Sequence, residues 1–259
     1  MDYNFHTHTF RCNHAVGRED EYVKIAMDNG IKFMGFSEHI PLVREDGKES
    51  IYRLSYAFAC EYVNAVNELK EKFKDSLELH LGFEMEYYPE YFHTMLKTAI
   101  SFGVEYLILG QHYTKPEHKG SPHVVIETDN HLELVEHVNA VVEGIKTGVF
   151  TYVAHPDIFN FVGDDKVYKQ EMRKIAVASK EYNVPLEINF LGIRRNRNYP
   201  DLRFWEVVGE VQSPVTFGLD SHNPKDAYDS KSLLVAKEMV KNYNLNYIGK
   251  PNLIKIKDI

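Results

Sequence analysis

Seven times along the chain a short, almost continuously apolar run is followed by a polar stretch with helical periodicity. The runs are "DYNFHTH", "IKFMGFSEH", "LELHLGFEME", "VEYLILGQH", "VFTYVAHPD", "VPLEINF" and "SPVTFGLDSH". A strand that is apolar on both faces belongs in a parallel sheet covered by helices, because each crossover lays a helix over the sheet. Between the runs the spacing predicts helices over 18–29, ended by a left-handed Gly30, over 55–75, from Pro89 onward, and over 131–147 behind an Asp or Asn cap. Further helices are expected over 165–182, 201–211 and near 224–242. The stretches "REDGKES", "YTKPEHKGSPH" and "NFLGIRRNRNYP" read as loops. No linker breaks the rhythm, so residues 1–259 are expected to form one domain.

Alternating units of this kind either close into a barrel or open into a doubly wound sheet. The strand ends favour closure. HTH, SEH, GFEME, LGQH, AHPD and LDSH place His, Glu or Asp at six of the seven C-terminal ends, and only the sixth run lacks an obvious candidate ligand. A ring of such ends converges on one point only in a closed sheet, whereas an open sheet gathers its ligand at a single switch point. The expected fold is α/β, a distorted (β/α)7 TIM-like barrel.

The same ends carry the chemistry. His6 and His8 are two apart on an extended segment, so both side chains point to one face and can chelate one cation. His39, Glu84, His112, His155, Asp220 and His222 recur at equivalent places in later units, where catalytic groups of a barrel collect. His80 lies before its strand's end, and His93, His131 and His137 lie on helical stretches, so these four are read as packed or surface residues. His118 and His123 belong to a long loop that is either a lid or plain surface. Asp157 is placed to orient a neighbouring histidine, and Glu38 could do the same, although strand alternation would turn it away.

Composition narrows the class of molecule. No apolar run approaches the roughly 18 residues of a membrane span, and no basic segment leads into a long apolar stretch at the start, so a membrane partner and a secretory signal are not expected. Two cysteines, Cys12 and Cys60, suit a reducing compartment, and the cytoplasm is expected. A formal charge of -8 argues against a general nucleic-acid binder, while leaving room for a local basic loop that holds one phosphate. Neither the order of the units nor their composition bears on oligomeric state.

The ordered set "HTHTFRCNHA", "SEH", "GFEMEY", "LGQHY", "AHPD" and "GLDSH" resembles the motifs of the PHP (polymerase and histidinol phosphatase) metallophosphoesterases, across nearly the whole chain. "GFEMEYYP" and "NFLGIRRNRNYP" make it most similar to the monofunctional histidinol-phosphatase branch. The resemblance implies two to three divalent ions, Zn, Mn or Fe. His6, His8, Glu84 and Asp220 would hold the first, and Glu84 would bridge to a second bound by His112 and His155. His14, His39 and His222 would hold the third. It implies hydrolysis of L-histidinol phosphate by a metal-bridging hydroxide, with Glu84, Asp220 and His222 at the reacting centre. The leaving group's proton comes either from Asp220 or from a metal-bound water.

The basic loop after the sixth strand could reach over this ring, and Arg197, then Arg194, with Arg195 beside them, are the expected phosphate contacts. Glu86, Tyr87, Tyr113 and Phe190 stand near strand ends where an amine and an imidazole could be received. The alternative is a phosphoesterase of the same family with another small phosphate monoester, a phosphotyrosine, a nucleotide or a nucleic-acid end as substrate.

Overall fold

A computed structural model describes residues 1–42 and 47–256, without the side chain of His118; Arg44, Glu45 and Asp46 of the first predicted loop lie outside it. The strands are β1 (Tyr3–Asn4), β2 (Phe33–His39), β3 (Glu78–Met85), β4 (Tyr106–Leu109), β5 (Phe150–Val153), β6 (Leu186–Asn189), β7 (Pro214–Gly218) and β8 (Asn246–Tyr247). They form one parallel sheet in the order of the chain. The helices are α1 (Glu19–Asp28), α2 (Tyr56–Phe73), α3 (Phe92–Ser101), α4 (His131–Lys146), α5 (Asp165–Tyr182), α6 (Phe190–Arg195), α7 (Leu202–Val211) and α8 (Ser230–Asn242).

The sheet curls into the expected barrel, with one strand more than predicted. At the top of the seam, Thr7 and Ser221 pair directly: His8 N donates to Ser221 O at 2.9 Å, and Ser221 N donates to His6 O at 3.2 Å. Lower down, β8 pairs with β7 through Asn246 and Tyr247. The Tyr3 hydroxyl spans the remaining width, 3.0 Å from Thr216 Oγ1 and 3.1 Å from the Tyr247 hydroxyl. Seven strands therefore close at the functional end, and the two-residue β8 wedges into the opposite end. So short a segment carries no periodicity for a sequence reading to detect.

Two cores follow from the two-residue repeat of strands. Leu107, Leu109 and Val153 face outward into the large core beneath the helices. Ile108, Tyr152 and Ala154, with Tyr106, Tyr3 and Phe5, fill the barrel floor, where the Tyr106 hydroxyl donates to Phe5 O at 2.8 Å. The site sits on this floor.

Helix boundaries were largely as the caps indicated. The side chains of Ser55, Asn130, Asp164 and Asp201 accept from backbone amides at the starts of α2, α4, α5 and α7, and Gly30 adopts φ 81° after α1. Three segments differ from expectation. α3 begins at Phe92, after a turn at Pro89; the last helix is a short 3-10 turn, Pro224–Ala227, followed by α8; and the predicted loop "NFLGIRR" is helix α6, capped by Asn189, whose side chain accepts from Gly192 N. No helix among the described residues is long and apolar enough to cross a membrane.

Candidate metal centre

Five overlapping triads of donor atoms, each within 4.8 Å, gather at the C-terminal ends of the strands: His6–His8–Glu84, His6–His155–Asp220, His39–Glu84–His112, His14–His39–His222 and His8–Cys12–His222. Together they take in all nine residues expected as ligands, and add Cys12. The Cys12 thiol donates to Thr9 O at 3.3 Å, and burial holds it well above the usual thiol range, so it sits there protonated rather than as a thiolate.

Glu84 is central. Its Oε2 lies 3.4 Å from His6 Nε2, 3.2 Å from His8 Nε2 and 3.4 Å from His39 Nδ1. Its Oε1 lies 3.0 Å from His155 Nε2 and 3.5 Å from His112 Nε2. For ligands about 2.1 Å from a tetrahedral ion, the edge between two donors is about 3.4 Å. The spacing is that of a coordination shell, and the two oxygens address two different sets. Such closeness depends on the next strand, because a Cβ at Gly110 would stand 1.8 Å from Glu84 Oε1. His155 and Asp220 themselves adopt positive φ, 32° and 46°, a strained conformation of the kind that clusters at functional sites.

The fit to cations is supported by the buried atoms. His6 Nε2, both His8 nitrogens, Glu84 Oε2, His155 Nδ1 and Asp220 Oδ1 are buried without a hydrogen-bond partner. Polar atoms orphaned among the described residues are costly, and divalent ions would satisfy those that face the centre, His6 Nε2, His8 Nε2, Glu84 Oε2 and Asp220 Oδ1. The opposite ring atoms are committed. His6 Nδ1 donates to Glu187 Oε1 at 2.8 Å, His112 Nδ1 to Glu86 Oε1 at 3.0 Å, and His14 Nδ1 to Cys12 O at 2.7 Å. With a cation in place of the Nε2 proton, each bond would hold the ring so that the Nε2 lone pair faces the centre. Burial alone would raise Glu84 and Asp220, but the imidazoles around them outweigh it and hold both well below the usual carboxylate range. Burial and neighbouring imidazoles push His14 down to about 4, which keeps it in the neutral, ligating form.

Several sequence expectations need correction. Glu38 is not turned away; its Oε1 accepts from Thr9 N and Thr9 Oγ1, and its Oε2 lies 3.6 Å from His8 Nδ1. Asp157 does not orient a histidine; its Oδ2 accepts from Asp201 N at 2.6 Å and Trp205 Nε1 at 2.8 Å, which anchors α7. Arg194 does not reach the cavity. Its guanidinium donates to Leu219 O and Asp220 O, because the unexpected α6 turns it toward the turn after β7. Tyr87 packs against Phe92 and Phe190 against Phe217, so neither lines the cavity. Glu86 does line it, but its oxygens already hold His112 and Arg53.

The sequence reading missed Glu187, Arg53 and Glu117. Glu187 is fully buried: besides His6, it accepts from His155 N at 2.9 Å and Asn189 Nδ2 at 2.8 Å. Arg53 donates to Glu86 Oε2 at 2.6 Å and Glu117 Oε1 at 2.9 Å, which ties the long loop to the partner of His112. Above the centre opens a cavity of about 650 Å³, bounded by His112, His155 and Asp220 on the floor and by Arg195, Arg197, Tyr113 and His123 on the walls.

A model of the PHP domain matches residues 4–190. The chain belongs to the PHP domain family. A relative in Deinococcus radiodurans, named probable histidinol-phosphatase, is 26% identical over 227 residues, 85% of each chain. A protein of the same name in Schizosaccharomyces pombe is 23% identical over 253 residues, 86% of this chain and 81% of its own. Among solved structures, the histidinol phosphate phosphatase of Lactococcus lactis subsp. lactis, complexed with zinc, L-histidinol and phosphate, aligns with a TM-score of 0.71 at 18% identity, over 98% of this chain and 97% of its own. That likeness shows the PHP fold.

Proposed function

We propose that residues 1–259 act as one cytoplasmic metallophosphoesterase domain that hydrolyses L-histidinol phosphate to L-histidinol and phosphate. The observation that carries this reading is the double-sided Glu84, with His6, His8 and His39 at one oxygen and His112 and His155 at the other, beneath a cavity that has arginines on its wall. The names of the relatives supply the substrate.

The donor set of imidazoles and carboxylates suits two to three ions of Zn, Mn or Fe. In this assignment His6, His8, Glu84 and Asp220 would hold one ion, Glu84, His112 and His155 a second, and His14, His39 and His222 a third. When bound, such ions acidify a coordinated water toward neutral pH and offset charge on the phosphoryl group. The protein's own residues do the rest. Glu187, Glu86 and Glu38 face the outer nitrogens of His6, His112 and His8, so each imidazole turns toward the centre. Arg195 and Arg197 offer planar guanidinium forks to phosphate oxygens at the cavity wall. Asp220 is steadied by Asn189 Nδ2 at 3.0 Å and stands at the floor, where it can receive or return a proton.

The test is metal content measured together with phosphate release from L-histidinol phosphate, p-nitrophenyl phosphate, phosphotyrosine and AMP. Two to three metals per chain with preference for L-histidinol phosphate is the expected result. Bound metal with preference for another ester would replace the substrate, and no metal with no turnover would end the reading.

A further inference from the structure

The loop between β4 and α4 carries an imidazole that the metal centre leaves unused. His123 lines the same cavity as His112, His155 and Arg197, yet it joins none of the donor triads. Its position is built. Tyr113 and His123 form an antiparallel bridge, and Val124 N donates to His112 O at 3.0 Å. The Thr114 and Ser121 hydroxyls lie 2.8 Å apart across the loop, and Glu117 fastens its middle to Arg53.

The ring's tautomer is also set. Val125 N donates to His123 Nδ1 at 3.2 Å, which occupies that lone pair and puts the ring's proton on Nε2. Nε2 has no partner among the described residues. The ring centre stands 5.7 Å from that of His112, in the cavity that Arg195 and Arg197 also line. A phosphate ester held in that cavity presents acceptor oxygens to a donor at Nε2 as well as to the arginines.

We propose that His123 binds substrate, donating a hydrogen bond from Nε2–H to a non-bridging phosphate oxygen and completing an anion clamp with Arg195 and Arg197. This rests on the phosphatase reading. The probe is inorganic phosphate, titrated by calorimetry into zinc-loaded wild type, His123→Ala and His123→Gln, alongside the KM and kcat for L-histidinol phosphate and p-nitrophenyl phosphate. In His123→Ala, phosphate binding should weaken about tenfold, the cost of one hydrogen bond to a charged group. KM should rise by a similar factor for both esters, while kcat and metal content stay near wild type. His123→Gln, whose amide carries a donor at a comparable reach, should recover most of the loss. Unchanged phosphate affinity in His123→Ala overturns the proposal, as does loss of metal, or a glutamine variant that melts like wild type and binds phosphate no better than alanine. Wild type that binds zinc but neither binds phosphate nor releases it overturns the phosphatase reading itself.

Discussion

Replacing Glu187 by glutamine tests how far the centre depends on a residue that touches no cation. Glu187 Oε1 accepts from His6 Nδ1, while Oε2 accepts from His155 N and Asn189 Nδ2. A glutamine has one acceptor oxygen. If its NH2 faces His6, two donors collide, or the proton moves to Nε2 and blocks the ligating lone pair. If the NH2 faces His155 and Asn189, those donors lose their acceptor, and the positive-φ backbone of His155 loses its tether. Losing a hydrogen bond to a buried charged group costs about 1.5–3 kcal/mol. Carboxylates behind metal-bound histidines are worth about 10–100-fold in metal affinity, roughly 1.4–2.8 kcal/mol. The two estimates agree, so Glu187→Gln should bind zinc about 10–100 times more weakly in competition with a chromogenic chelator, with circular dichroism unchanged when metal is saturating. Wild-type zinc affinity in Glu187→Gln would refute the claim that this carboxylate sets the tautomer of His6.

Four further outcomes are expected. Glu117 is raised by burial but lowered more by Arg53, to about 2, so its folded value lies below its unfolded one. It therefore stabilises the protein above about pH 4.5, and this contribution fades as pH falls toward 2; urea melts should show wild type and Glu117→Gln converging in acid. Arg194→Ala should lower Tm and kcat without a large rise in KM, since it frees the carbonyls of Leu219 and Asp220, whereas Arg197→Ala should mainly raise KM; a KM effect at Arg194 would contradict its placement. Chelation should lower Tm, because an ion at 100 times its Kd contributes ~2.7 kcal/mol, or about 5–10 °C for a chain of this size, in calorimetry. Asp157 is raised by burial to about 7, so wild type loses stability as pH rises from about 4 to 7; Asp157→Asn, which keeps an acceptor for Asp201 N and Trp205 Nε1, should gain on wild type across that window and hold the gain above pH 7 in the same melts.

What the sequence made legible was whatever repeats. Strands buried on both faces left continuous apolar runs, and the strand ends brought their donors to one rim, so the barrel and eight of the nine clustered side chains could be read in advance, His14 being added by the family resemblance. The partners behind the donors could not. Glu187 sits in a strand buried on both faces, where polar–apolar alternation marks no side, and its contact with His6 crosses 181 positions of chain; Glu38 was a candidate that the same alternation turned the wrong way. Arg53 and Glu117 meet across 64. Arg194 was misplaced for a local reason: Asn189 caps a helix in what composition presented as a loop, and one helical turn is enough to swing a guanidinium out of a cavity.

The seam where Thr7 meets Ser221 has a bearing on synthesis. His6 and His8 are made more than 200 positions before Asp220 and His222, so the donors proposed for the first ion come from stretches far apart in synthesis. A nascent chain thus holds half a binding site for most of its time on the ribosome, with a pair of histidines exposed to any passing cation. In the proposed centre the shell would be completed only when β7 docks beside β1, so metal capture and closure of the barrel would become one event, and a cell short of metal would accumulate chains loose at this edge.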